Sequence, residues 1–195
     1  MEKTFTIIAG VNGVGKSSFL GARTNLEQDE LRIDVDKIAA ENNISNIEAG
    51  KIALKKIDEA IKNGESFTQE TTLSSHQIVQ TIKKAKENGY NVNLYYIGVN
   101  SADEAIKRIA NRVLKGGHDI PKEDVIRRYD KQKENIKKVL NLVDNIYFYD
   151  SENGFSWFAL YSDGVANTML NEKLKIAFNK ELPRWYKEIF EINDQ

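Results

Sequence analysis

Gly10-Val11-Asn12-Gly13-Val14-Gly15-Lys16-Ser17 fits the pattern G-x-x-x-x-G-K-[ST] at every fixed position. The apolar run Phe5-Thr6-Ile7-Ile8-Ala9 precedes it, and a helix-compatible stretch from Ser17 to Arg23 follows. Strand, glycine-rich turn and helix start are the setting a phosphate-binding loop needs. The glycines let backbone N–H groups turn inward around phosphate oxygens, and the helix N-terminus favours an anion. The expected nucleotide contacts are Gly10, Asn12, Gly13, Val14, Gly15, Lys16, Ser17 and Ser18. Lys16 is expected to reach the β- and γ-phosphates of ATP or GTP, and the Ser17 hydroxyl to coordinate Mg²⁺.

Working outward, strand and helix signals alternate. Leu31 to Asp34 reads as a second strand, Asn46 to Lys62 as a helix stopped by Asn63-Gly64, and Ser66 to Glu70 as a third strand. A helix over Ser74 to Glu87 and a strand over Asn91 to Val99 follow. Helices are expected over Ala102 to Leu114 and Pro121 to Val143, with Gly116-Gly117 between them. Asn145 to Tyr149 and Ser156 to Tyr161 read as strands joined by a hairpin turn, and further helix is expected over Asn171 to Asn179 and Pro183 to Ile192. This alternation predicts an α/β fold: a mostly parallel sheet with helices on both faces and an antiparallel edge.

The composition narrows the function. The 195 residues suit a single domain, and a net charge of −1 argues against a generally nucleic-acid-binding surface. There are no cysteines, so disulfides and thiolate metal sites are excluded. The two histidines, His76 and His118, are isolated from each other and give no zinc pattern. No apolar run approaches the roughly 20 residues of a membrane span. The first strand signal begins within about five residues of the start, so neither a signal peptide nor a fused N-terminal antitoxin is expected. A cytoplasmic enzyme is the expectation.

Motor and switch motifs are missing. The strand Asn91 to Val99 runs into Asn100-Ser101 with no acid, and there is neither an Asn-Lys-x-Asp guanine reader nor a Leu-Ser-Gly-Gly-Gln signature. A small-molecule kinase fits better. It needs a carboxylate to orient or deprotonate the acceptor hydroxyl, and cations for the transferred phosphoryl group. Asp36 is the chosen base, at the carboxyl edge of the second strand where open α/β sheets place ligands. Asp34 shares its side if the strand persists, or else caps the following helix. Glu70, with Thr71 beside it, closes the next strand at the same edge, as an acceptor contact or Mg²⁺ support. Thr71 or Thr72 alternatively caps the helix at Ser74. The region of about 108–129 reads as a lid hinged at Gly116-Gly117. Arg112 and Arg128 are its preferred phosphate ligands, ahead of Arg108 and Arg127. Glu123–Arg127 and Asp124–Arg128 are the competing i,i+4 pairs. His118 is expected to orient the hinge, and His76 to lie on a helix surface.

The loop, Ile33-Asp34-Val35-Asp36, Glu70-Thr71-Thr72, and Gly116-Gly117-His118-x-Ile120-Pro121 followed by Arg127-Arg128-Tyr129 together resemble the zeta-toxin family, most closely its short bacterial branch. The likeness runs from about Thr4 to Tyr149. It implies a P-loop kinase fold and transfer of phosphate from ATP or GTP to the 3′-hydroxyl of the amino sugar in UDP-N-acetylglucosamine. It also implies a separate small antitoxin protein that blocks the nucleotide site. By resemblance Asp36 matches the catalytic base, Glu70 the sugar-nucleotide contact, Lys16 the phosphate lysine, and Arg112 and Arg128 the γ-phosphate arginines. The longer insertions that cradle the uridine end in larger members have no match here. The alternatives are a kinase for another hydroxyl acceptor, or a nucleotide-binding switch acting with a protein partner.

Overall fold

The computed structural model describes residues 2–22, 31–152, 154–168 and 181–192. Its strands are β1 (Thr4–Ala9), β2 (Leu31–Ile33), β3 (Phe67–Thr71), β4 (Asn91–Gly98), β5 (Asn145–Asp150), β6 (Ser156–Ser162) and β7 (Val165–Thr168). They form one sheet in the order β2-β3-β1-β4-β5-β6-β7. The first five in that order are parallel, and β6 and β7 form the antiparallel edge. The helices are α1 (Lys16–Ala22), α2 (Val35–Asn42), α3 (Asn46–Asn63), α4 (His76–Glu87), α5 (Ala102–Leu114), α6 (Lys122–Asp130), α7 (Gln132–Val139) and α8 (Arg184–Phe190). None of the described helices is long and apolar enough to cross a membrane.

Alternation along the strands sorts the core into two layers. Phe5, Ile7 and Ala9 of β1 join Phe67, Leu94, Tyr96 and Phe148 under α3, α4, α7 and α8. Ile8, on the opposite side of β1, joins Phe19 of α1, Ala105 and Ile109 of α5, and Val125 of α6. β1 is central: β3 pairs with it on one side and β4 on the other. Its carboxyl end, where the loop 10–15 begins, is the point at which the chain order reverses, and ligands bind open α/β sheets at such a point.

Three expectations are corrected. The second strand stops at Ile33, because Asp34 leaves the strand to cap α2. The single helix over Pro121 to Val143 is two helices, broken at Lys131. α6 must place Val125 and Tyr129 on one face of the sheet, whereas α7 places Ile136 and Val139 on the other, and one straight helix cannot serve both. The edge also gains β7, which alternation had not revealed. The helix expected over Asn171 to Asn179 lies outside the described residues, as does Arg23 at the end of the first.

Candidate active site

The loop 10–15 turns through three glycines with positive φ: Gly10 (147°), Gly13 (85°) and Gly15 (94°). A β-carbon at Gly10 would lie 2.3 Å from the Ile97 carbonyl oxygen, and one at Gly13 2.4 Å from that of Ala105. The loop is therefore pressed against β4 and α5, with no room for side chains. Lys16 opens α1, and its ammonium bends back to donate to the carbonyls of Gly10 (3.1 Å) and Val11 (3.5 Å). Burial lowers its pKa, while Glu70, Asp36 and Asp34 pull it back up and Arg128 adds to the lowering.

Three acids therefore share a field with one lysine. Ser17 Oγ donates to Glu70 Oε2 at 3.3 Å, across the β1–β3 pair. Burial pushes the Glu70 carboxyl up and Asp34 adds to this, against Lys16 and the Ser17 hydrogen bond. Asp34 spends its side chain on the helix start, accepting from the Asp36 and Lys37 N–H groups at 2.9 and 3.4 Å. Asp36, in the first turn of α2, is exposed. The Thr71 hydroxyl braces the turn after β3 by accepting from Leu73 N–H, and Ser75 rather than Thr71 or Thr72 caps α4.

The arginines divide. Arg128 donates to Asn12 Oδ1, tying α6 to the loop. Arg112 is exposed and donates to the His118 carbonyl at 2.5 Å, a contact made by the His118 backbone and not its ring. Arg108 is fixed between Glu104 (3.1 Å) and Ser151 (2.8 Å). Arg127 pairs with Asp124 at 2.6 Å, an i,i+3 contact instead of the expected i,i+4 pairs. His76, the first residue of α4, is exposed.

One cavity of about 1090 Å³ gathers the expected residues. Asn12 to Ser18, Asp34, Asp36, Glu70, Thr71, Arg108, Arg112 and Arg128 all line it. Gly10, Arg127, His118 and His76 stand outside its lining. Sequence reasoning missed two of its walls. Ile47, Gly50, Lys51 and Leu54 of α3 flank the acidic end, and Phe155 flanks the loop. The α3 periodicity signalled only packing, but Phe155 follows Gly154 at a turn and could have been noticed.

The donors suit a hard divalent cation in part. Ser17 Oγ and the Glu70 carboxylate are oxygens held 3.3 Å apart at the mouth of the loop. Among the described residues no cluster of three or more His, Cys, Asp or Glu side chains could hold a metal alone. Such a site fits Mg²⁺, which takes few protein ligands and completes its shell with phosphate oxygens and water.

The zeta toxin family model matches residues 1–159. An uncharacterized protein of Haemophilus influenzae is 38% identical over 134 residues, 66% of this chain and 94% of that protein. A solved structure from the PezAT chromosomal toxin–antitoxin system of Streptococcus pneumoniae is 18% identical. It superposes with a TM-score of 0.65 over 98% of this chain and 84% of that one. The complex of AvrRxo1-ORF1 and -ORF2 with ATP is 14% identical, with a TM-score of 0.60 over 94% of this chain and 64% of that one. The family match spans four-fifths of a chain whose sheet order and glycine loop fit it, so the protein is a member of the zeta-toxin family with the fold of the P-loop kinases.

Proposed function

We propose that the protein transfers the γ-phosphoryl group of ATP to a sugar hydroxyl, with the 3′-hydroxyl of UDP-N-acetylglucosamine as the leading acceptor. The observation that carries this reading is the convergence of Lys16, Ser17, Asp36, Glu70, Arg112 and Arg128 on one cavity. The loop N–H groups and Lys16 cradle the β- and γ-phosphates. Ser17, with Glu70 behind it, would hold Mg²⁺, which when bound would supply positive charge against those phosphates. Asp36 accepts the acceptor's proton as the hydroxyl oxygen bonds to the γ-phosphorus and the bond to the β-phosphate oxygen breaks, leaving ADP. Its exposure suits it to meet an incoming hydroxyl. Arg128, already on the loop, and Arg112, released from the hinge carbonyl, neutralise the phosphoryl oxygens as the lid of about 108–129 closes.

The choice of sugar nucleotide follows from the family, as does a separate antitoxin protein as partner. The PezAT structure is itself a toxin–antitoxin system. The decisive experiment is mass spectrometry of UDP-N-acetylglucosamine incubated with the protein and Mg²⁺-ATP, beside Lys16→Ala and Asp36→Asn. A gain of one phosphate, lost in both variants, is the expected result. No gain with nucleotide binding intact rejects this acceptor and directs the search to other hydroxyl compounds.

A further inference from the structure

Between Gly10 and Gly15 the loop carries one polar side chain, that of Asn12. It is 5% exposed, and it lines the cavity. Its neighbours Val11 and Val14 sink instead into the apolar cluster that also takes in Val125 of α6. A loop that wraps phosphates with backbone N–H groups has no need of a buried carboxamide. What this one touches is Arg128, 116 residues further along the chain, whose Nη1 donates to Asn12 Oδ1. We propose that Asn12 is a positioning residue: its carboxamide holds Arg128 over the loop and keeps the Nε edge of the guanidinium for the γ-phosphate of a bound nucleotide. This rests on the reading of Arg128 as a γ-phosphate ligand.

The geometry leaves that edge open. Nη1 lies on the Cδ side of the guanidinium, so Asn12 does not occupy the Nε–Nη2 edge, which can pair side-on with an oxyanion. Arg128 Nε is buried and has no hydrogen-bond partner among the described residues. A buried donor of this kind is costly unless a ligand satisfies it. Both ends of the contact are anchored. Gly10 and Gly13 press the loop against the Ile97 and Ala105 carbonyls. α6 is fixed by Val125, which is fully buried, and by the Tyr129 hydroxyl on the Asn100 carbonyl at 2.7 Å. The backbones are thus set, and Asn12 decides where the long arginine side chain lies between them.

A competing partner is at hand. Asp124 lies one turn back on α6, at the i,i+4 spacing that favours an ion pair with Arg128. It is engaged instead by Arg127 at 2.6 Å. The Arg127 hydrogen bond holds the Asp124 carboxyl below its ordinary range and the charge of Arg128 adds to this, so Arg128 remains within its field. A neutral carboxamide suits the task better than an acid at position 12. It accepts the hydrogen bond without holding the arginine by charge, and it does not repel a phosphate.

The test is isothermal titration calorimetry of the full chain with Mg²⁺-ADP and with the Mg²⁺ complex of the non-hydrolysable imido analogue of ATP. Asn12→Ala should weaken the ATP analogue roughly tenfold, the size of a lost hydrogen bond to a charged group. It should leave ADP largely unchanged, because ADP has no γ-phosphate for Arg128 to meet. In an Arg128→Ala background Asn12→Ala should cost nothing further, since its whole effect passes through that arginine. Asp124→Asn added to Asn12→Ala should return part of the affinity by removing the competitor. Equal weakening of ADP and the analogue would overturn the proposal, because Asn12 would then only shape the loop. Additive losses from Asn12→Ala and Arg128→Ala would overturn it too. If Arg128→Ala alone leaves the analogue unaffected, the reading of Arg128 itself fails, and the role of Asn12 with it. Asn12→Leu, similar in shape but without the acceptor, is titrated alongside in case Asn12→Ala does not fold, and loss of ADP binding in both would likewise overturn the proposal.

Discussion

Glu70 sits beside Ser17 and Lys16 with Asp34 in the same field, and burial pushes its carboxyl above the ordinary 4.5. The folded protein therefore holds this proton more tightly than the unfolded chain. Below pH 4.5 both states are protonated and Glu70 costs nothing. As pH rises through the interval up to the raised folded value, the unfolded chain ionises first and folding stability is lost. Glu70→Gln removes this cost. Melting temperatures should match wild type at acidic pH and exceed it increasingly as pH climbs towards neutral. Phosphoryl transfer should fall roughly 10- to 100-fold in the same variant, as for a residue that supports a metal ligand. A Glu70→Gln protein that melts below wild type at pH 7 would show that its carboxylate stabilises the fold. At this scale the sequence was informative wherever chemistry dictated residue type. That Lys16, Asp36 and Glu70 line one cavity was legible because a glycine loop and sheet edges have fixed places in such a fold. The role of Asp34 was not, because capping and catalysis draw on the same residue types, and only backbone dihedrals separate them (φ −131°, then helix).

The elements that carry these residues depend on contacts that periodicity cannot express. α6 and α7 read as one helix because their apolar spacing continues across Lys131, whose φ of −90° and ψ of −2° turn the chain without a proline or glycine. What the turn achieves is a buried polar contact on the far face of the sheet. Tyr96 of β4 donates its hydroxyl to Gln132 Oε1 at 3.0 Å, and both side chains are almost fully enclosed. Burial pushes the Tyr96 phenol far up, so it remains a donor at any ordinary pH. Gln132→Ala leaves that hydroxyl without its partner and should cost about 1–3 kcal/mol in chemical denaturation. Tyr96→Phe removes the other half. The double variant should lose clearly less than the sum of the two single variants, since one hydrogen bond is shared between them. Strict additivity would mean that the contact does not set the break. By contrast α3 was legible almost to the residue. Ser45 and Glu48 form a capping box at its start and Gly64 closes it in the left-handed conformation, all local signals.

At the scale of the molecule, alternation predicted a parallel sheet with an antiparallel edge, but strand order and the closing of the second face depend on pairings distant in sequence. The family model ends at residue 159, yet the core does not. α8 supplies Trp185, Tyr186 and Ile189, each about fully buried, against Tyr96, Phe148 and Phe158. Trp185 lies on Gly98, the last residue of β4, so closely that a β-carbon there would fall 2.0 Å from the indole Cε2. Gly98 precedes Val99 and Asn100, and the Asn100 carbonyl accepts from Tyr129 of α6 at 2.7 Å. The packing of a C-terminal helix is thereby connected to the strand end beside the cavity. Gly98→Ala should cost about 1–3 kcal/mol through overpacking, and Trp185→Ala about 3–5 kcal/mol through the cavity it leaves. Trp185→Phe in the Gly98→Ala background should recover part of the loss, because the smaller ring vacates the space the new methyl needs. Ending the chain at residue 168 removes all three side chains. The summed loss rivals the whole stability of a domain, typically about 5–15 kcal/mol, so this truncation should give no cooperative melt by circular dichroism and rapid digestion by protease. A truncated chain that melts cooperatively near the wild-type temperature would mean that α8 merely covers a sheet already complete without it.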